Sequence, residues 1–95
     1  MVQTDPDDQA FRYELILEAR RRPELRPQVE HVHATYRAAL RAELAAAGVD
    51  ADDALVHLLF AAVDGMVFQQ VCLDDPAATG AGLARLRSLL RLLAR

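Results

Sequence analysis

Between Leu55 and Cys72 the chain reads LVHLLFAAVDGMVFQQVC, a run of helical length with no polar face. At about 100° per residue, Leu55, Leu59, Ala62 and Met66 fall on one side. Val56, Phe60, Val63 and Val67 fall on the next, and Leu58, Ala61, Gly65 and Cys72 on a third. A helix that is apolar all round has to be buried all round. The rest of the 95-residue chain supplies only about three further helices to cover it. The run is therefore expected to form the centre of an oligomer interface, the wall of an apolar pocket, or both.

A membrane span is the competing reading, since the run approaches the ~20 residues that cross a bilayer. Asp64 stands at its middle, where a charge costs roughly 2.5–3.5 kcal/mol, and His57, Gln69 and Gln70 add to that. The flanks are acidic (Asp50, Asp52 and Asp53 before, Asp74 and Asp75 after), and neither carries a basic anchor. The expectation is a buried helix of a soluble protein with no membrane partner.

The composition makes the chain one all-α domain. It is 53% hydrophobic but 5% aromatic, with alanine and leucine dominant. Both are strong helix formers, and no sustained alternation argues for strands. The architecture expected is an antiparallel bundle of about four helices. Net charge is −3, from 14 acidic and 11 basic side chains, and every basic residue is arginine. The arginines gather at Arg20–Arg22 and Arg85–Arg95 without interleaved aromatics, so the chain has no electrostatic footprint for nucleic acid. The single cysteine, Cys72, excludes an internal disulfide and fits a reducing compartment. On the apolar helix it reads as a small buried hydrophobe. The opening MVQTDPDDQAF lacks the basic and apolar segments of a signal peptide, and the expected location is the cytoplasm.

Four helices follow from stop and start signals. The first is expected from about Asp7 to Arg21, capped by Thr4 or Asp5, with Pro6 in its first turn and Pro23 ending it. Arg20–Arg22 would face the negative end of its dipole. The second runs from the Pro23–Pro27 break to about Ala47 and stops at Gly48. Leu25, Val29, Val32, Tyr36, Leu40 and Leu44 form its core stripe, while Arg37 and Arg41, one turn apart, repel slightly. Asp50, with Asp53 behind it, is the expected cap of the apolar helix. Asp74-Asp75-Pro76 ends that helix, Pro76 to Gly82 reads as a flexible connection, and a last helix starts at about Leu83. Leu83, Leu86, Leu89, Leu90 and Leu93 make its broad apolar face.

These signals resemble the C-terminal domain of tetracycline-repressor (TetR) family regulators. The residues that carry the resemblance are Tyr13-Glu14-Leu15 through Ala19-Arg20-Arg21-Arg22-Pro23-Glu24-Leu25, the long helix ending at Gly48, the acidic cap, and Asp64-Gly65-Met66 with Gln69-Gln70 behind it. The likeness spans about Phe11 to Leu93. It implies an effector-binding and dimerisation domain whose last two helices pair with those of a second subunit. The preceding helices would enclose a small apolar or amphipathic ligand. The family's helix-turn-helix domain is missing from these residues, as is most of its connecting helix. A fragment and a stand-alone domain both remain open.

Asp64 is the first residue to place, because a carboxylate on an apolar helix must be hydrogen-bonded, paired or protonated. It is either a ligand anchor or a structural partner of an arginine, histidine or helix end. His57 lies one heptad before it, with Phe60 and Phe68 alongside, and His33 and Tyr36 project from the second helix at neighbouring angles. With Phe11 and Leu15 these residues compose either the lining of a ligand pocket or an ordinary core. Gly65, near Ala61 and Ala62, removes bulk for a close helix approach. The expected homodimer interface contains Leu59, Ala62, Gly65, Met66, Leu86 and Leu90. His31 and His33 diverge by about 200° on a helix and cannot share a metal ion, and no cofactor motif occurs. Ser88, Cys72 and Thr35 lack a base at helical spacing, so no catalytic residue and no enzyme activity is expected.

Overall fold

A computed structural model describes residues 6–94. It contains α1 (Pro6–Ala19), a 3-10 turn (Pro23–Leu25), α2 (Arg26–Ala46), α3 (Asp53–Leu73) and α4 (Pro76–Leu93). No strand occurs among the described residues. The apolar helix α3 is the hub: α1, α2 and α4 each pack against it, and α1 also packs on α2.

Local chemistry sets the helix ends. Pro6 opens α1, with Asp7 and Asp8 in its first turn; the expected caps, Thr4 and Asp5, lie outside the described residues. Helix α1 stops at Ala19, so the arginine triplet follows the helix rather than forming its last turn. The chain winds out through Arg21 N–H to Glu18 O (2.9 Å) and Arg22 N–H to Glu18 O (3.0 Å), and Pro23 has no N–H to continue the ladder. Helix α2 ends in a Schellman turn. Gly48 takes φ 84°, Val49 N–H donates to Leu44 O (2.8 Å) and Gly48 N–H to Ala45 O (3.1 Å). Val49 and Leu44 are buried together as a result.

Two boundaries differ from the sequence reading. The cap of α3 is Asp52, whose side chain accepts from Leu55 N–H at 2.8 Å, and Asp50 lies upstream of the helix. Helix α4 begins at Pro76, seven positions before the expected start, because Asp75 caps it by accepting from Ala78 N–H (3.1 Å) and proline suits its first position. Thr79 Oγ1 donates to Gln70 Oε1 at 2.8 Å, tying this extra length to α3. The expected flexible connection is therefore helix. Gly82 lies inside it, where a Cβ would stand 2.9 Å from Met66 Sδ on α3.

The core is small and sits at one end. Leu44, Val49, Val56 and Leu59 are buried together, with Leu40, Ala51, Leu55, Leu86 and Leu90 packed around them. Helix α3 is not buried all round: Leu58 is 63% and Leu73 72% exposed, and Cys72 is exposed too rather than a buried hydrophobe. The α2 stripe is likewise uneven, with Leu44 buried but Val32 and Tyr36 exposed. The molecule extends 43 × 30 × 20 Å with a radius of gyration of 14.5 Å, larger than the about 13 Å typical of a compact domain near this length. Three helices on one central helix leave part of that helix uncovered. By length and hydropathy alone α3 would cross a bilayer. Its middle, however, holds an ion pair with another helix of the bundle.

Candidate ligand site around Arg12 and Asp64

Phe60, Asp64 and Phe68 recur every four residues and so share one face of α3. That face meets Arg12 and Tyr13 on α1, and His33 and Tyr36 on α2. Arg12 Nη2 donates to Asp64 Oδ1, forming an ion pair between largely covered side chains. Arg12 Nε donates to Gln9 Oε1 at 3.1 Å. The Tyr13 hydroxyl lies 3.2 Å from Asp64 Oδ1 and 3.3 Å from the Asp64 backbone oxygen. One carboxylate on α3 thus gathers two donors from α1.

Aromatic rings enclose this polar centre. The Arg12 guanidinium carbon is 4.5 Å from the Tyr13 ring centroid and 5.8 Å from that of Tyr36, both within cation–π range. Tyr13 meets Phe68 edge-on at 5.0 Å. His33 meets Phe60 edge-on at 5.6 Å, and Tyr36 stacks on Phe60 at 6.4 Å. The rings join α1, α2 and α3 into one constellation.

The charges act on one another across this group. Burial pulls the Arg12 guanidinium down, but the hydrogen bond and charge of Asp64 outweigh it, so Arg12 is held even more firmly as a cation. Burial, then the Asp64 charge, push the Tyr13 phenol above its ordinary value, against the opposing pull of Arg12. Tyr13 is thus a neutral donor at physiological pH. Burial lowers His33; the Arg12 charge adds to that, Asp64 opposes it, and Arg37 lowers it further. Two polar atoms of the group, Arg12 Nη1 and His33 Nε2, are buried without a hydrogen-bond partner among the described residues.

Of the residues expected at a ligand site, the structure brings His33, Tyr36, Phe60, Asp64 and Phe68 together. Phe11 is 65% exposed and Leu15 half-buried, and neither joins the network of ring and polar contacts. His57 is exposed and belongs to a groove between α2 and α3, because one heptad of helix carries it about 10 Å along the axis from Asp64. Two surface grooves lie outside the aromatic group. One, of about 660 Å³, is bounded by Glu14, Leu17, Glu18, Arg20 and Arg21. The other, of about 420 Å³, is lined by Ala34, Arg37, Ala38, Arg41, Asp53, Val56 and His57.

The residues expected at a dimer interface are distributed differently. Leu59 is buried within the subunit, with Leu86 and Leu90 packed against it. Met66 is half-buried beside Gly82. Ala62 is exposed, and nothing lies within 4 Å of where a Gly65 Cβ would stand. The helix that comes close is α4, and the glycine that admits it is Gly82. No group of three or more metal-binding side chains occurs among the described residues.

Sequence reasoning passed over Arg12 and Tyr13 as site residues. A carboxylate in the middle of an apolar helix demands a hydrogen-bonding or charged partner, and Arg12 is the one basic residue of α1. That demand was the signal available. A family model described as tetracyclin repressor-like, C-terminal domain, matches residues 1–95. The chain belongs to this TetR-like C-terminal domain family. Domains of the family are parts of transcription regulators, and the match extends the likeness over the full chain. Neither a curated protein nor a solved structure matches it.

Proposed function

We propose that this domain senses a small apolar or amphipathic ligand and dimerises within a TetR-like transcriptional regulator. It is a non-catalytic, cytoplasmic module that contacts no DNA itself, and DNA is reached only through a helix-turn-helix domain where one is joined to it. The family match supports the regulatory role. The observation that carries the sensing role is the Arg12–Tyr13–Asp64 centre, walled by Tyr36, Phe60 and Phe68. It combines apolar walls with a few placed polar groups, the usual composition of a small-molecule site. A ligand that competes for Asp64 or Arg12 changes how α1 is held against α3.

Dimerisation is supported by the apolar surface left on α3 and α4. Leu58, Leu73, Leu89, Leu92 and Leu93 are all more than half exposed, on a subunit whose core is small. A stable interface on these helices buries at least about 1,200 Å² in total. Ala62, Gly65 and Met66 are the proposed α3 contribution, and Leu86 and Leu90 support the α4 side from within.

A second reading, a ligand-free helical dimerisation module, draws on the position of the two surface grooves outside the aromatic group. Thermal melting with apolar and amphipathic compounds separates the two. A ligand that raises the melting temperature of the wild type but not of Asp64→Asn supports sensing. A panel without any shift supports the module. Sedimentation at tens of micromolar tests the dimer, and a monomer there refutes it.

A further inference from the structure

The groove between α2 and α3 brings two arginines and a histidine together outside the Arg12–Asp64 centre. Arg37 and Arg41 stand one turn apart on α2 and line it together, with His57 facing them from α3. Like charges at that spacing repel, so both guanidinium groups need anions. Arg41 has one: Nη2 pairs with Asp53, and Nη1 donates to the backbone carbonyl of Ala51 at 3.0 Å. Arg37, half-buried, makes no hydrogen bond or ion pair among the described residues. Its charge stands uncompensated in a chain with 14 acidic and 11 basic side chains.

The shape suits a small occupant. Ala34 and Ala38, one turn apart on α2, leave the groove clear of side-chain bulk, and buried Val56 closes its floor. Its volume, about 420 Å³, falls in the range of small-molecule sites. Counting Asp53 against one arginine, the groove keeps a net positive charge.

We propose that this groove binds the anionic head, phosphate or carboxylate, of a small organic molecule, with Arg37 as the principal partner and Arg41 and His57 beside it. Arg37 offers a planar fork of donors matched to two oxygens of either head. The Ala34–Ala38 side and Val56 receive the apolar remainder. The groove's lining shares no residue with the Arg12–Asp64 centre, although the Arg37 charge acts on His33 there, and the proposal stands whether or not that centre senses a ligand.

The test titrates the full chain with phenyl phosphate, benzoate and benzyl alcohol at constant ionic strength. Calorimetry and the His57 imidazole proton resonances are followed. Saturable binding of phenyl phosphate or benzoate is expected, with benzyl alcohol inert, and the tighter of the two anions identifies the head group. Arg37→Gln should weaken that binding by about tenfold or more, the usual scale for a charge-assisted hydrogen bond. Ala38→Leu, which fills the groove with a good helix former, should weaken it as well, and Arg91→Gln on α4 should leave it unchanged. Binding of benzyl alcohol equal to that of the anions, the same response to sodium chloride, no saturation, or an unaltered affinity in Arg37→Gln would each overturn the proposal.

Discussion

Arg12 and Asp64 are 52 positions apart in the chain, yet their side chains meet as an ion pair that locks α1 to the centre of α3. Tyr13, the next residue on α1, donates to the same carboxylate. Three groups on two helices therefore depend on one another, and removing any of them leaves the others short of a partner.

Asp64→Asn and Arg12→Gln are each expected to lower stability by about 1–3 kcal/mol, the cost of leaving a covered polar group unsatisfied. The pair retains some solvent contact, with side chains 16% and 28% exposed, which keeps the loss below that of a fully buried ion pair. Urea denaturation of the two single variants and the double variant measures it. A double variant no less stable than either single variant shows the coupling; simple additivity would contradict it.

His33 makes stability depend on pH. Burial first, then the Arg12 charge, lower its folded value below the ordinary 6.5, with Asp64 opposing and Arg37 adding to the fall. Its contribution is fully present above about 6.5 and is lost as pH falls through the lower folded value. Between about pH 7.5 and about pH 5.5 the wild type should lose more stability than His33→Gln. Equal losses would show that His33 is not the titrating group.

Tyr13 acts at the other end of the scale. Its folded value is raised above 10.0 by burial and by the Asp64 charge. The stability it carries is complete below about 10 and declines as pH rises through the higher folded value. Tyr13→Phe should flatten the alkaline limb of the stability profile, while lowering stability at neutral pH by about 1 kcal/mol for the lost hydrogen bonds. Denaturation at a series of alkaline pH values, with phenolate absorbance, follows both effects.

The two glycines Gly65 and Gly82 should respond differently to alanine. Open space surrounds the Gly65 position, so Gly65→Ala should stabilise the subunit by up to about 1 kcal/mol through helix propensity. It should also weaken self-association if α3 meets its counterpart there. Gly82→Ala should gain less, because Met66 Sδ must move away from the new methyl group. Thermal melting ranks the two, and sedimentation reads the dimer. A larger gain at Gly82 would contradict the packing described.

Asp52→Ala should cost about 1 kcal/mol, the usual value for loss of a helix N-cap, since Asp52 accepts from Leu55 N–H at 2.8 Å. Chemical denaturation is the measurement, and an unchanged midpoint would place the cap elsewhere.

The all-α class, α2's stop at Gly48 and the termination of α3 near Asp74 were legible because local chemistry dictates them: helix propensity, a glycine at positive φ, prolines without N–H. So was the grouping of Phe60, Asp64 and Phe68, which helical periodicity places on one face wherever α3 packs. Local signals of similar strength competed at the start of α4, where Gly80 and Gly82 looked like a loop. The Asp75 cap, Pro76 and the contact of Gly82 with Met66 decided for helix.

Tertiary structure alone selected Arg12 and Tyr13 as the partners of Asp64. The carboxylate's need for a partner is written in the chain, but which partner reaches it depends on the azimuth at which α1 crosses α3. Tertiary structure also set His57 beside Arg37 and Arg41, a heptad away from Asp64 along α3. A shared helical angle does not bring two residues together when a heptad of rise lies between them. Burial followed the same logic. Composition made every face of α3 apolar, but three helices cover only part of one cylinder, and packing decided that Val56 and Leu59 are enclosed while Leu58 and Leu73 face outward.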